Sequence, residues 1–323
     1  MTSKLSERSK LIAAFAAVYL IWGSTYLAIR FAIETIPPFL MAGTRFLMAG
    51  SILFLFAKTR GTPRPQLTHW RTALVVGVFL LLGGNGLVAW SEQVVPSGQA
   101  ALLVTTEPLW VMIIAYTMGR ERLSGTVVIG LVMGFAGVLL LVGPETIAGG
   151  ERVSRIGALA LTVAALSWAI GSLYSSRAPQ PSSQSLASAM TMLAGGALLI
   201  LTGAATGEFA RFDFGAVTLR STIALAYLSI FGSVVAFSAY LWLMRNVTPS
   251  RASTYAYVNP VIAVLVGWGF GGEGLTLRTV LAAVIIVGSV SLIISKQSAV
   301  NERKPAPKIK GRDSSESRLS KAA

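Results

Sequence analysis

The feature that most constrains the fold is a succession of apolar runs with only short polar gaps between them. An α-helix of about 20 apolar residues spans the hydrocarbon core of a bilayer. Ten runs have about this length, at approximately 11–30, 38–57, 72–91, 97–118, 126–143, 156–175, 186–205, 222–244, 250–270 and 278–295. Only 12% of the residues are charged, about half the share found in soluble domains. The sequence therefore predicts an all-α polytopic membrane protein with ten transmembrane helices.

The distribution of lysine and arginine predicts the orientation, because basic residues accumulate in cytoplasmic loops. With a cytoplasmic N-terminus, twelve basic gap residues face the cytoplasm: Lys4, Arg8, Lys10, Lys58, Arg60, Arg64, Arg71, Arg120, Arg122, Arg177, Arg245 and Arg251. Six then face outside: Arg30, Arg152, Arg155, Arg211, Arg220 and Arg278. Seven acidic gap residues also fall outside: Glu34, Glu92, Glu145, Glu151, Glu208, Asp213 and Glu273. We expect both termini to be cytoplasmic, with residues 296–323 forming a disordered basic tail.

Two distant segments of the chain resemble each other. Residues 95–124 are followed by a similar stretch at 247–276, in which Pro260 stands 152 positions after Pro108. Each half of the chain contains five predicted spans, an odd number, so the second half is expected to be inverted relative to the first. Inverted repeats are typical of secondary transporters.

The repeat predicts the domain organisation. The first five-helix repeat is expected at 1–143, the second at 144–295 and the tail at 296–323. In such proteins, exchanging the conformations of two similar halves moves the opening from one face of the membrane to the other.

Five segments carry a resemblance to a known family: IWGSTYLAIR at 21–30, IPPFLMAGTRFLMAG at 36–50, VPSGQAALLV at 95–104, LSWAIGSLYSSR at 166–177 and YAYVNPVIAVLVG at 255–267. They resemble the EamA family of drug/metabolite transporters, and most closely its YedA-like inner-membrane exporters. The resemblance implies ten helices in two inverted EamA repeats, located in the cell inner membrane. It also implies export of small metabolites, amino acids or drugs, so that a small-molecule substrate and the lipid bilayer are the expected partners.

Glu107, at the centre of the fourth predicted span, is the candidate for proton coupling. Ionisable residues within spans usually face a cavity or a partner, and loss of hydration makes reversible protonation feasible. The alternative is a structural glutamate that pairs with Arg45 of the second span. Arg45 itself could hold a substrate carboxylate in a bidentate manner, or it could neutralise Glu107 or a helix terminus.

Proline and asparagine residues mark further candidate positions. Pro108 and Pro260 each weaken the local helix, and interrupted helices at matched positions indicate a binding site in transporters. Asn259 occupies the position in the second repeat that Glu107 has in the first, and Asn85 is another polar residue within a span. Kinks that let helices curve and asparagines that join helices are the structural alternatives.

Aromatic residues with a polar tip lie well inside several spans. They could line a pocket for apolar or aromatic solutes, although interfacial belts also use such residues. The candidates are Trp22, Tyr26, Trp168, Tyr240 and Tyr255.

The composition argues against other classes of function. The net charge of +14 lies in loops and in the tail rather than on a nucleic-acid-binding domain. The chain has no cysteine and only one histidine, His69, so no metal site or cofactor is expected. It also lacks a phosphate-binding GxxxxGK[ST] segment and paired loop carboxylates with a partner base, so we do not expect an enzyme. A passive facilitator or channel remains the alternative to a coupled exporter.

Overall fold

A computed structural model describes residues 2–118, 125–142, 154–246 and 255–302. Within these ranges the regular structure is helical and contains no strand. The long helices are α1 (Thr2–Ala16, Ala17–Ile21 and Trp22–Ala32 in succession), α2 (Pro38–Thr59), α3 (Leu67–Val76, Gly77–Gly86 and Leu87–Ser91 in succession), α4 (Ser97–Val104 and Glu107–Thr117), α5 (Gly125–Val142), α6 (Arg155–Ser175), α7 (Gln184–Ala205), α8 (Leu219–Tyr227, Leu228–Val235 and Ala236–Asn246 in succession), α9 (Tyr255–Gly271) and α10 (Leu277–Glu302). Two short helices, Glu208–Arg211 and Phe214–Ala216, connect α7 to α8.

Seven of these helices are long and apolar enough to cross a membrane, namely α1, α2, α3, α4, α6, α7 and α8. The stretches Gly125–Leu141, Val258–Gly271 and Leu277–Leu292 are shorter apolar helices. Large apolar side chains are exposed along the outside of the bundle, as in Leu55 and Leu201, where a bilayer would cover them. The all-helical membrane class is confirmed, whereas the total of ten spans stays a prediction.

The last helix differs from its predicted extent. It ends at Glu302 rather than near residue 295, so the first residues of the predicted tail are helical. The rest of that tail, from 303 onward, lies outside the described residues.

Helix packing follows a two-fold pattern between the halves. The second helices of the two halves, α2 and α7, pack on each other, and so do the fifth helices, α5 and α10. The first helix of each half packs on the third and fourth helices of the other half. Thus α1 contacts α8 and α9, and correspondingly α6 contacts α3 and α4. This arrangement fits a two-repeat layout.

Glycines allow the two equivalent pairs of helices to approach closely. A Cβ atom on Gly43 of α2 would lie 2.7 Å from Ile200 Cδ1 of α7. A Cβ on Gly137 of α5 would lie 2.7 Å from Ile286 Cγ1 of α10. Small residues at such contacts are characteristic of helix packing in membranes.

Wide π-helical turns occur at related places in the two halves. The segment Gly77–Gly86 lies within α3, and Leu228–Val235 lies within α8. These are the third helices of their halves. A further π-helical segment, Ala17–Ile21, lies within α1. π-Helical turns are rare and frequently occur at functional sites.

The two predicted proline interruptions differ from each other. In α4 the helix breaks at Thr105 and Thr106, and Glu107 begins the second segment with Pro108 in its first turn. A proline is well accommodated there because the first turn needs no N–H donor. In α9, by contrast, Pro260 lies inside a helix that continues through it. Only the first of the expected pair of interruptions is therefore present as a break.

Candidate functional site

Three predicted aromatic residues meet in one cluster between the halves. The ring centroids of Trp22 and Tyr240 are 5.3 Å apart, those of Trp22 and Tyr255 are 5.2 Å apart, and those of Tyr240 and Tyr255 are 5.6 Å apart. The contacts are tilted or edge-to-face, which aromatic rings favour. Trp22 Nε1 also donates a 3.0 Å hydrogen bond to the carbonyl oxygen of Gly232, in the π-helical segment of α8. The cluster thus joins α1 to α8 and α9.

Glu107 lies on one side of this aromatic cluster. Its carboxyl group interacts electrostatically with the hydroxyl groups of Tyr240 and Tyr255. Glu107 is partly exposed, and the part of the chain that the structure describes offers it no ion pair. Its position in the first turn of the second α4 segment suits a carboxylate, since helix N-termini carry a partial positive charge.

Arg45 is held elsewhere than beside Glu107. Its Nε donates a 2.9 Å hydrogen bond to Ser233 Oγ of α8. A Cβ atom on Gly232 would lie 3.3 Å from Arg45 Nη2, so this glycine makes room for the guanidinium group. Among the described residues the ion pairs are Arg30 with Glu273 and Arg220 with Glu34. The alternative in which Glu107 pairs with Arg45 is therefore not what the structure contains.

Tyr26 and Asn259 extend the cluster along α1 and α9. Tyr26 follows Trp22 by four residues, and Asn259 follows Tyr255 by four, so each pair shares one helix face. Tyr26 interacts electrostatically with Tyr255. Asn259 is buried, and its Oδ1 has no hydrogen-bond partner among the residues described. Pro260 is buried in α9 beside it.

Asn85 and Trp168 do not join the central cluster through any contact that the structure describes. They lie where α3 packs against α6: a Cβ on Gly84 would be 2.6 Å from Trp168 Cε3. Asn85 Nδ2 donates to the Leu80 carbonyl oxygen at 3.2 Å, within its own helix. The contact of Trp168 with Gly84 is the counterpart of the contact between Trp22 and Gly232 in the other half.

Glu273 was predicted only to lie in a loop on the outer side, and its side chain proves to be buried against another helix. Glu273 accepts hydrogen bonds from Ser97 N at 2.7 Å, from Ser97 Oγ at 2.6 Å and from Gly98 N at 3.0 Å. It also pairs with Arg30 Nη1 at 2.5 Å, and its side chain is only 7% exposed. The turn after α9 carries this side chain to the N-terminus of α4, where free backbone N–H groups bind anions.

Glu208 and Glu92 are also buried rather than exposed. Glu208 accepts hydrogen bonds from Phe39 N at 3.2 Å and Leu40 N at 2.9 Å, and thereby caps α2. The N-cap residues of α2 and α4 are Pro37 and Pro96, which have no side-chain oxygen to serve as a cap. These two prolines are the sequence signal that a carboxylate from elsewhere caps each helix.

The bundle and its centre define a class of protein. A polytopic helical chain whose halves are related by packing, with a broken helix and polar groups between the halves, is typical of secondary transporters. The model of the EamA-like transporter family matches residues 9–143 and again residues 155–295. The chain belongs to the EamA-like transporter family.

Individual relatives agree with this membership. The chain is 40% identical over 286 residues to the "Uncharacterized inner membrane transporter YedA" of Escherichia coli (strain K12), covering 88% of this chain and 90% of that protein. It is 27% identical over 283 residues to the "Uncharacterized transporter YoaV" of Bacillus subtilis (strain 168), covering 86% and 94%. A crystal structure of a protein with 23% identity has a TM-score of 0.59 and covers 92% of this chain and 99% of that one, so the two share a fold. Together these names indicate a membrane transporter.

Proposed function

We propose that the protein exports small metabolites, such as amino acids, related solutes or drugs, across the inner membrane by alternating access. The observation that carries the proposal is the cluster of Trp22, Tyr240 and Tyr255 beside Glu107, because it draws α1 and α4 from one half and α8 and α9 from the other. A solute held there touches both halves, so a rocking of one half against the other exposes it to the opposite face.

The proposed topology has ten spans in two inverted repeats, at 1–143 and 144–295, with both termini in the cytoplasm. Three observations support it: the paired helix contacts, the π-helical segments in α3 and α8, and the excess of basic residues in the gaps assigned to the cytoplasm. The inner membrane location agrees with the name of the relative YedA.

The proposed coupling ion is the proton, with Glu107 as its carrier. Glu107 begins the second segment of α4, lies within electrostatic range of the hydroxyl groups of Tyr240 and Tyr255, and has no ion-pair partner in the described ranges. Arg45 reaches the same region from α2, beside the Gly232 that binds Trp22. A site with an acidic group near the tyrosines and a guanidinium near the tryptophan suits solutes that carry an ammonium and a carboxylate group.

Export can be tested without knowing the substrate in advance. Cells that overproduce the protein are grown against a panel of toxic amino acids, their analogues and drugs, with Trp22→Ala as the matched variant. The proposal expects higher tolerance to at least one compound and loss of that tolerance in the variant. Equal growth of both strains across the whole panel would contradict it.

Transport measurements in reconstituted vesicles distinguish the alternative functions. A compound found in the panel is loaded, and its movement is measured with and without a proton gradient. Transport against the compound's own gradient supports coupled export, whereas equilibration that ignores the proton gradient supports a passive facilitator. Chemical alteration of the compound would instead indicate an enzyme.

A further inference from the structure

Glu92 lies in an unusual environment just beyond the end of α3. The residue is only 4% exposed. Neither carboxyl oxygen makes a hydrogen bond with the residues that the structure describes, although the Arg30 backbone amide contributes a favourable interaction. A buried charged carboxylate without hydrogen bonds is costly, so the uncharged form fits this site better.

The surroundings of Glu92 contain a second carboxylate and two arginines. Glu273 and Arg30 interact with it electrostatically from the turn after α9 and from α1, and Arg45 does so from α2. Tyr26 of α1 also lies within electrostatic range. These are the charged and titratable groups that face Glu92 among the described residues.

Arg30 is shared unequally between the two carboxylates. It forms its ion pair with Glu273, which simultaneously binds the N-terminus of α4. This set of bonds ties together α1, α4 and the turn after α9 at this end of the bundle. A negative charge on Glu92 would repel Glu273 and compete with it for Arg30.

We propose that Glu92 is a proton-binding residue whose ionisation opens the end of the bundle that Arg30, Glu273 and Ser97 hold closed. The proposal rests on the proposed function, since a closure at one end matters to a protein that works by alternating access. Glu92 would be a second proton-binding carboxylate besides Glu107. The two lie at different depths and have different proposed roles, because Glu107 binds at the solute site whereas Glu92 controls the closure.

The direction of the pH effect follows from the environment of Glu92. Burial, and then the charge of Glu273, raise the pKa of Glu92 well above its ordinary value, while Arg30 and Arg45 act in the opposite direction. Opening would hydrate the carboxyl group and return its pKa towards the ordinary value. The closed form therefore binds the proton more tightly, and rising pH favours the open form by up to about tenfold per pH unit for one proton.

The absence of cysteine from the chain provides a direct test. Ala101 is 1% exposed and follows Ser97 by four residues, so it lies one turn below the closure on the same face of α4. In the full-length protein with Ala101→Cys, reaction with a membrane-impermeant maleimide is measured from mildly acidic to mildly alkaline pH. Spheroplasts and inverted vesicles are treated separately.

Because only the thiolate reacts with a maleimide, each rate is divided by the rate of a free thiol compound with the same reagent at the same pH, which gives a corrected rate. The expected result is labelling from one side only, with a corrected rate that rises by up to about tenfold per pH unit. Adding Glu92→Gln should keep the corrected rate low and independent of pH, because the amide mimics the protonated acid. With Glu92→Asp in place of Glu92→Gln, the pH dependence should return, because aspartate can again be ionised. The control is Glu34→Gln, which removes an exposed acid at the same end of α1 and should leave the curve unchanged.

The proposal is overturned if Glu92→Gln leaves the pH dependence of the corrected rate unaltered. It is also overturned if the protein with Ala101→Cys alone is unreactive, or if its corrected rate does not depend on pH. This readout needs no transported solute. A failure here with intact export would leave the proposed function standing, whereas normal gating with no exported compound would count against the function alone.

Discussion

The two segments of α4 begin beside two very different carboxylates. At the start of the first segment, Glu273 fills its hydrogen-bonding capacity with Ser97, Gly98 and Arg30. At the start of the second, Glu107 lies within electrostatic range of the hydroxyl groups of Tyr240 and Tyr255 and has no ion pair in the described part of the chain. A carboxylate whose partners are all protein groups holds helices together, whereas one that lacks them is free to bind a proton or a solute. A structural carboxylate from another segment thus binds the N-terminus of α4, whereas the carboxylate at the break within α4 is available to bind a proton or a solute.

The largest expected effect comes from removing the structural carboxylate. Glu273→Ala leaves Arg30 without its ion-pair partner and the N-terminus of α4 without its cap. Loss of one partner of a fully buried ion pair costs about 3–5 kcal/mol, and water reduces this cost here because the Arg30 side chain is 37% exposed. We still expect the largest decrease in the thermal unfolding temperature of the purified protein in detergent, because the cap of α4 is lost together with the ion pair.

Glu208→Ala is the matched comparison for Glu273→Ala. It also removes a carboxylate cap, here from α2, but it breaks no ion pair in the described residues. We expect a loss of about 1 kcal/mol, as for other caps. Equal losses in the two variants would show that the pairing with Arg30 contributes nothing to the closure.

Glu107→Gln should affect transport and leave stability nearly unchanged. Because the glutamine side chain is isosteric, the unfolding temperature should change little. Export of a compound found in the growth panel should, however, lose its response to the proton gradient, which for a single proton amounts to about tenfold per pH unit. Transport in reconstituted vesicles at several external pH values measures this response. Unchanged pH dependence would remove Glu107 from the coupling step.

The helices and part of the centre could be predicted from the sequence. The run at 186–205 became Gln184–Ala205, because a continuous apolar stretch of membrane-spanning length leaves the backbone no alternative to a helix. The pairs Trp22 with Tyr26 and Tyr255 with Asn259 were also predictable, since a spacing of four residues fixes a shared face.

The burial of Glu92 and Glu273 could not be predicted in the same way. Each lies in a gap between apolar runs, where an acidic residue is ordinarily hydrated. Whether a gap folds back over helix ends depends on packing between distant helices, as in the contact of Glu273 with Ser97. Only the proline at position 96, which leaves α4 without a side-chain cap of its own, indicated that a distant group was needed.

Trp22→Phe should have a smaller effect than Glu273→Ala on stability and a smaller effect than Glu107→Gln on transport. Phenylalanine keeps an aromatic ring between Tyr240 and Tyr255 but removes the hydrogen bond from Nε1 to the Gly232 carbonyl oxygen. A hydrogen bond of this kind contributes about 0.5–1.5 kcal/mol, so the apparent affinity for an exported compound should fall by up to about tenfold if the bond orders the site. Vesicle uptake at several solute concentrations measures this affinity. An unchanged affinity would mean that the indole N–H serves only to position α8.

The smallest effect is expected at an ion pair that lies on the surface. Arg220 and Glu34 join α8 to the end of α1 across 3.2 Å, but their side chains are 53% and 40% exposed. Exposed pairs contribute about 0.2–1 kcal/mol, because water and salt screen the charges. Glu34→Gln should therefore leave both the unfolding temperature and export nearly unchanged, and added salt should abolish the remaining difference. A loss comparable to that of Glu273→Ala would contradict the distinction between the two pairs, which rests on a carboxylate side chain that is 7% exposed in Glu273 and 40% exposed in Glu34.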